Sequence, residues 1–285
     1  MTVLQRLHEQ YLHDASARIV ASTEDVYRAA TRSLWPFLGI KQPKEVGVGE
    51  INLHLLRLSH QFKGSRVKFI RDHIMRFWRW LEDNEHIEHS PLLARRTVRP
   101  LVIPPTRRPI MEDQYRAVMA VAGTPWRELC AVGWHTGLRY SDVAGLRWDQ
   151  IDWESRVITT LPRKIRRFNK TLTIPMADEL VAVLRERKEH PRYPALAMCE
   201  VVFPELNIAS WDRVYAYTEI QKVFRRAGLP KGYSFHSFRH AFCTRLSNDG
   251  VSPLTISAMT GQSLRVLQTY VKVSVEAKRA ALGIK

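Results

Sequence analysis

Apolar side chains recur every three or four residues through the first ninety positions of the chain, which is the spacing of amphipathic helices. This pattern predicts helices over residues 22–39, 48–62 and 65–84. The first begins with the capping residues Ser22 to Asp25 and has Val26, Ala30 and Leu34 on its predicted apolar face. The predicted apolar face of the third consists of Phe69, Ile70, Ile74, Phe77, Trp78 and Leu81.

The pattern changes after residue 110. Two β-branched runs, residues 157–160 and 171–174, predict strands, and the segment between them predicts the tip of a hairpin. The expected fold is therefore mainly α with a small antiparallel β-sheet. Helical periodicity surrounds the sheet over residues 111–121, 126–136, 142–148, 177–189, 218–227, 237–249, 253–259 and 264–271.

Between the two patterns lies a segment rich in proline and arginine. Residues 91–109 contain five prolines and five arginines, and proline both blocks helix continuation and stiffens the chain. This composition predicts a helical domain over residues 1–92, a basic linker over 93–109 and a second domain over 110–285.

Charge is the unusual feature of the composition. The chain has 44 Lys and Arg against 28 Asp and Glu, a formal net charge of +16, whereas 45% hydrophobic residues is ordinary for a globular protein. Cations occur in both predicted domains, so we expect an anionic partner, nucleic acid above all, that is bound from two sides. A membrane surface and a solvated basic coat are the alternatives.

The cysteines and the apolar runs narrow the cellular setting. Cys130, Cys199 and Cys243 are too widely spaced for a disulfide framework or a metal-binding pair, which favours a reducing cytosol and predicts no metal site. No apolar run approaches the ~20 residues of a membrane span, and the first residues lack the apolar segment of a secretion signal. We expect a cytoplasmic, nucleoid-associated protein without membrane contact.

Three basic clusters are candidate DNA contacts. Each could instead be a solvated charged surface, but repulsion among crowded cations favours a bound polyanion. The clusters lie on the polar face of the third helix, at the hairpin tip and in the linker. Their members are Arg66, Lys68, Arg71, Arg76 and Arg79; Arg163, Lys164, Arg166, Arg167 and Lys170; and Arg107 and Arg108.

Three short motifs can carry chemistry. Arg139 and Asp142, in a Thr-Gly-Leu-Arg-Tyr-Ser-Asp run, are spaced to meet on one helix face, although a surface ion pair has the same spacing. His236 and Arg239 lie where a helix begins, and helix starts favour anions. Tyr270 follows, and alone it would be taken for a packing residue.

In this order the motifs resemble the tyrosine recombinase, or phage integrase, family. The resemblance rests on Arg139, a hairpin lysine at Lys164, the His-x-x-Arg-His run from His236, Gly261 and Tyr270. It covers about residues 110–282 and extends more weakly to 15–92. It implies a C-shaped clamp of two domains around DNA.

The resemblance also implies a role for each residue. Tyr270 would attack a scissile phosphate and become a 3′-phosphotyrosine, while Arg139 and Arg239 hold the non-bridging oxygens. Lys164 would protonate the departing 5′ oxygen, with Lys170 as the rival assignment. His236 would assist proton transfer. Asp142 would help to orient the site.

One position departs from the family pattern. Gln262 follows Gly261 where the family usually has histidine or tryptophan. Glutamine can donate a hydrogen bond to a phosphate oxygen but carries no charge, so activity is expected to persist at a reduced level.

The implied function is site-specific DNA recombination without metal, ATP or any other cofactor. The partners implied are a double-stranded site with inverted repeats and further copies of the chain, as a tetramer on two sites. A mobile element is the expected setting, and the sequence leaves open whether that is a phage, a transposon or an integron, or whether the chain acts in chromosome-dimer resolution. A type IB topoisomerase-like relaxation enzyme and a non-catalytic DNA-binding relative are the alternatives.

Overall fold

The computed structural model divides the chain into two compact units, Met1–Pro105 and Thr106–Lys285. The division falls inside the predicted linker. The structure describes residues 1–17, 19, 21–92, 96–103, 108–162, 170–190, 199–206 and 213–268.

The first unit is helical. Its core consists of apolar stripes on successive helices, and Leu12, Leu55, Phe77 and Trp78 are among its fully buried side chains. The first helix, which the sequence analysis missed, starts in a capping box: the backbone N–H of Gln5 donates to the Thr2 hydroxyl at 3.3 Å. The helices are α1 (Val3–Ser16), α2 (Ala21–Thr31), α3 (Leu34–Leu38), α4 (Val48–Gln61) and α5 (Gly64–Asp83).

The predicted helix over residues 22–39 is wrong in one respect, because it is two helices, α2 and α3. The Thr31 hydroxyl bonds back to the carbonyl of Arg28 at 3.3 Å, and such side-chain bonding competes with helix continuation. Val26, predicted on the apolar face, is 48% exposed. In α5 the predicted apolar face is buried except for Phe69 at its edge.

Two buried histidines join α1 to α5. The Nε2 atoms of His8 and His73 are 2.9 Å apart inside a cage of aromatic rings, so one ring donates and the other accepts. Burial lowers the pKa of His8 to about 4, and Arg28 adds to the effect. Burial likewise lowers the pKa of His73 to about 3, with His8 and Arg76 adding to it.

The first unit is therefore expected to lose stability in mild acid. The unfolded chain binds protons at these histidines below pH about 6.5, whereas the folded unit resists protonation down to about 4, so the free energy of unfolding falls across that window. Each histidine contributes about 1.4 kcal/mol per pH unit at most. Urea unfolding at pH about 7 and about 5 measures the loss, and His73→Gln should reduce it. The exposed His89→Gln serves as a control, and equal stability at both pH values contradicts the prediction.

The second unit packs helices around a small antiparallel sheet with strand order β1-β2-β3. Ile158 pairs with Ile151 on one side and with Ile174 on the other, and all three side chains are buried. The strands are β1 (Ile151–Asp152), β2 (Val157–Thr160) and β3 (Leu172–Pro175). The helices are α6 (Glu112–Val121), α7 (Trp126–Thr136), α8 (Tyr140–Ala144), α9 (Asp178–Glu189), α10 (Arg213–Arg226), α11 (His236–Asn248), α12 (Pro253–Thr260) and α13 (Leu264–Leu267).

This architecture confirms the predicted mainly α fold with a small antiparallel sheet. One predicted helix, over residues 142–148, is wrong: α8 starts at Tyr140 and ends before Gly145. The backbone beyond it pairs with a distant segment instead, since Trp148 N donates to Glu200 O at 2.9 Å and Val202 N to Leu146 O at 2.7 Å. The predicted hairpin tip lies outside the described residues, apart from its ends.

Candidate active site

A sharp turn after α7 brings the chain close to the neighbouring helix α11 just before Arg139. Gly137 ends α7 with φ of 63°, a conformation that favours glycine. A Cβ atom at this position would also lie 2.7 Å from the ring of Phe242 on α11. Glycine therefore provides both the reversal and the close approach of α11, and two residues later Arg139 caps α8.

Arg239 is a fully buried guanidinium that ties two helix ends together. Its Nη1 donates to the Gly137 carbonyl at 2.8 Å, and its Nη2 donates to the Thr260 carbonyl at 2.5 Å. These carbonyls end α7 and α12, where backbone acceptors lack helical partners. A buried cation is tolerated when it is hydrogen-bonded, so the arrangement holds a positive charge at a fixed place.

Gln262 completes the surroundings of Arg239. With its amide oxygen facing the arginine, Gln262 accepts from Nε at 2.5 Å and from Nη2 at 3.3 Å. The side chain is buried, and the Cys243 thiol lies 3.8 Å from the other side of the amide. Gln262, which departs from the family pattern, therefore accepts hydrogen bonds directly from Arg239. It occupies the position at which the family pattern predicts a side chain that binds phosphate.

Arg139 is less completely bonded. Its Nη1 is buried and lies 3.7 Å from Asp142 Oδ2, an ion pair without a hydrogen bond, and this nitrogen makes no hydrogen bond to any described residue. A buried donor in this state costs free energy until an acceptor reaches it. The side chain is 23% exposed, so a ligand can approach it from solvent.

His236 is the first residue of α11, is exposed, and lies one helical turn before Arg239. Its ring meets that of the buried His240 edge to face, with centroids 4.7 Å apart. The site therefore combines a buried arginine and an exposed histidine on α11 with a partly exposed arginine that lies two residues beyond the Gly137 carbonyl bound by Arg239. Such a group of cations and donors can hold a tetrahedral oxyanion.

Comparison with known proteins assigns the chain to a sequence family. The sequence profile of the phage integrase family matches residues 108–277. The chain belongs to the phage integrase family. The matched region contains every element of the integrase site just described.

Relatives of this integrase-family chain include recombinases of bacteria. It is 23% identical over 258 residues to a tyrosine recombinase XerC-like protein of Caldanaerobacter subterraneus subsp. tengcongensis, covering 75% of this chain and 63% of that protein. It is 24% identical over 242 residues to tyrosine recombinase XerD of Shewanella oneidensis, covering 81% and 78%. The chain thus spans less than two thirds of the first relative's length.

Solved integrase structures share the fold. The Tn1549 transposon integrase in complex with a circular intermediate DNA gives a TM-score of 0.78 at 17% identity over 99% of both chains. A lambda integrase dimer bound to a COC′ core site gives 0.74 at 18% identity over 95% of this chain and 96% of that one. At these identities the likeness shows the fold.

Several predicted residues of the integrase site lie outside the described part of the chain. Lys170 is described and exposed just before β3, and Arg108 is exposed before α6. The structure therefore leaves the choice between Lys164 and Lys170 open. The residues not described are Tyr270, Lys164, Arg163, Arg166, Arg167 and Arg107.

Not every residue of the predicted basic face of α5 is exposed to solvent. Arg66, Lys68, Arg76 and Arg79 are exposed, and Lys68 pairs with Asp72 one turn away. Arg71 differs, because it is 8% exposed. Its guanidinium donates hydrogen bonds to neighbouring side chains of the same unit. The prediction that Arg71 lies on the exposed basic face is therefore wrong, because its side chain is buried.

One contributor to the site was missed by the sequence analysis. Arg245 on α11 places its guanidinium carbon 3.6 Å from the ring centre of Trp134 and donates to the Trp134 carbonyl at 2.8 Å. This contact fixes α11 against α7, the helices that carry Arg239 and lead to Arg139. Arg245 lies six residues after Arg239, so the sequence places it on the same predicted helix. Nothing in the sequence indicates that Trp134 is its partner.

Within the described ranges no group of three or more His, Cys, Asp and Glu side chains is arranged to hold a metal ion. No helix that the structure describes is long and apolar enough to cross a membrane.

Proposed function

We propose that this integrase-family chain is a site-specific DNA recombinase that cleaves and rejoins duplex DNA through a 3′-phosphotyrosine. The observation that carries the proposal is the pair of arginines. Arg239 is held rigidly by the Gly137 and Thr260 carbonyls, and Arg139, two residues beyond Gly137, has a buried donor that no described residue satisfies. A scissile phosphate offers the acceptors that this donor lacks.

The chemistry is a transesterification. The Tyr270 oxygen bonds to phosphorus, the bond from phosphorus to the 5′ oxygen breaks, and a proton passes to that oxygen from Lys164, or from Lys170 in the rival assignment. A tyrosine hydroxyl has an ordinary pKa of about 10, so it must lose its proton as it attacks, with His236 assisting. Two guanidiniums supply the charge and the directed donors that stabilise the transition state.

The phosphodiester energy is kept in the phosphotyrosine bond. Rejoining is the reverse reaction, in which a 5′ hydroxyl attacks the phosphotyrosine and releases Tyr270. The proposed cycle therefore needs neither ATP nor a metal ion. Asp142 supports it by holding Arg139 at ion-pair distance, and Gln262 by occupying Arg239 Nε.

Double-stranded DNA is the proposed partner. The integrases of similar fold are described in complex with DNA, and the net charge of +16 matches a polyanion. We assign DNA binding to residues 1–92, connection to 93–109 and catalysis to 110–285. The exposed cations of α5, Arg108 and the hairpin cations are the proposed phosphate contacts.

The assembly proposed is a tetramer on two sites with inverted repeats, in a mobile element. A lambda integrase tetramer bound to a Holliday junction shares this fold, with a TM-score of 0.75 at 18% identity. The chain beyond Tyr270 contains Ala277, Ala281 and Leu282 at helical spacing, and we propose that it links neighbouring copies.

A covalent-trapping experiment tests the function. Purified protein is incubated with fragmented host DNA in excess EDTA, denatured with detergent and examined for protein-linked DNA, which is then sequenced. We expect adducts that a protease destroys, in equal yield with Mg²⁺ or EDTA, and enriched in one inverted-repeat sequence. Absence of any adduct, or a strict need for Mg²⁺, contradicts the proposal. Adducts without sequence preference, with relaxation of a plasmid lacking the site, indicate topoisomerase activity instead.

A further inference from the structure

Part of the predicted linker is bound to the first unit. Asn52 on α4 holds the backbone of this segment with both ends of its amide. Its Nδ2 donates to the Arg96 carbonyl at 2.9 Å, and its Oδ1 accepts from the Val98 amide at 2.8 Å. One side chain thus satisfies two backbone groups that an unattached linker would leave to water.

A second contact holds the same segment from α5. Thr97 is 4% exposed, and its hydroxyl accepts from Arg71 Nη2 at 2.7 Å and donates to Met75 Sδ at 3.6 Å. Arg71 also bonds to Asp72 at 2.9 Å, which fixes the guanidinium from the other side. The arginine that sequence alone placed among the DNA contacts is engaged in binding Thr97.

A third contact is a close approach of two backbones. A Cβ atom at Gly64, the first residue of α5, would lie 1.8 Å from the Leu101 carbonyl oxygen and 2.8 Å from the Leu101 carbonyl carbon. Only glycine permits the chain to pass this close to the helix start. Three residues on α4 and α5 therefore hold the chain from Arg96 to Val102.

We propose that residues 96–102 form a strap fixed to the first unit, and that Asn52, Gly64 and Arg71 are positioning residues that shorten the connection between the two units. With the strap docked, seven residues, 103–109, separate it from Ile110, which is buried in the second unit. With the strap released, residues 96–109 add up to fourteen. As long as the connection still spans both binding sites, shortening it raises the effective concentration of the second unit once the first has bound.

The inference rests on the proposed function only in that both units bind one duplex. Doubling the length of the connection lowers the effective concentration about threefold or more. We therefore expect the strap to strengthen binding to DNA long enough for both units, and to have no effect on DNA that only one unit can reach.

Gly64→Ala tests the strap, and Gly49→Ala is the matched control. Both glycines lie in the first turn of a helix, but a Cβ atom at Gly49 meets nothing within 4 Å. Alanine favours helix over glycine, so the helices are expected to remain folded. Asn52→Ala is the second test variant, since it removes both hydrogen bonds of the Asn52 side chain without adding an atom.

Limited proteolysis of the full chain reports on the strap without DNA. Trypsin cleavage of the Arg96–Thr97 bond is compared with cleavage at the exposed Lys231, which lies in the second unit. In Gly64→Ala and Asn52→Ala the first cleavage is expected to be about tenfold faster relative to the second, because local opening becomes easier. Gly49→Ala should match the unaltered chain, and an unchanged ratio in both test variants overturns the strap.

Binding to two duplexes then separates positioning from general stability. One duplex carries the trapped site, and the other is shortened until only one unit can bind. Gly64→Ala should lose about threefold or more in affinity for the long duplex and nothing for the short one. Equal losses on both duplexes, or faster proteolysis with no loss on the long one, overturn the positioning role. Failure of the unaltered chain to bind either duplex overturns the proposed function instead, and proteolysis alone still decides whether the strap exists.

Discussion

Tyr270→Phe is expected to abolish the covalent protein–DNA adduct completely while leaving DNA affinity nearly unchanged. The substitution removes one hydroxyl, which is the attacking group in the proposed reaction, and leaves the cationic surface that supplies most of the affinity. Detergent-denatured samples on a gel measure the adduct, and a mobility-shift titration measures the affinity.

Tyr217→Phe and Tyr233→Phe are the controls for this substitution. Tyr217 on α10 is 58% exposed, whereas the Tyr233 hydroxyl accepts from Gln114 Nε2 at 3.2 Å and so belongs to the packing of α6. Both variants should form the adduct at the ordinary rate. An adduct that persists in Tyr270→Phe and disappears in one of the controls would transfer the role of nucleophile to that tyrosine.

Arg139→Ala is expected to slow strand cleavage by about two to three orders of magnitude, the usual cost of losing one transition-state donor. Its Nη1 makes no hydrogen bond to a described residue and its ion pair with Asp142 is long, so the melting temperature should change little. DNA affinity should fall only slightly, because one phosphate contact among many is lost. Single-turnover cleavage, thermal unfolding and a binding titration measure the three quantities.

Arg239→Ala is the comparison variant for Arg139→Ala, because it is expected to change stability as well as cleavage. Arg239 is fully buried and holds the carbonyls of Gly137 and Thr260, so its removal leaves buried acceptors unsatisfied at about 1–3 kcal/mol each. We therefore expect both slower cleavage and a lower melting temperature. If Arg139→Ala instead lowers binding as much as cleavage, Arg139 only holds the DNA backbone and does not act in the transition state.

Local patterns in the sequence predicted much of the fold. The helix over residues 126–136 and the strand over 157–160 were predicted with the boundaries that the structure shows. The prediction for α4 differs by one residue at its end, and that for α5 by one residue at each end. Periodicity and capping are properties of neighbouring residues, so a sequence contains them directly. The same holds for the ordered motif around Arg139 and Arg239, which by itself indicates the family.

Errors arose where distant segments decide the backbone. The helix expected over residues 142–148 ends early because the chain after Leu146 bonds to residues 200–202, some fifty positions away. Arg71 shares the spacing of its exposed neighbours on α5, yet the linker covers it. Helical spacing identifies a face, but the element that packs on that face comes from elsewhere in the chain.

The sequence by itself determined the mainly α class with its small sheet and the cationic character, and it supplied the residues that we propose bind a phosphate. Only the tertiary structure decided how those residues are held: Arg239 bonded to two helix ends, Gln262 turned toward Arg239, Arg139 with an unsatisfied donor, and a strap on the first unit. The physical reason is that burial and hydrogen-bond partners depend on contacts between residues far apart in the chain, which local spacing does not record.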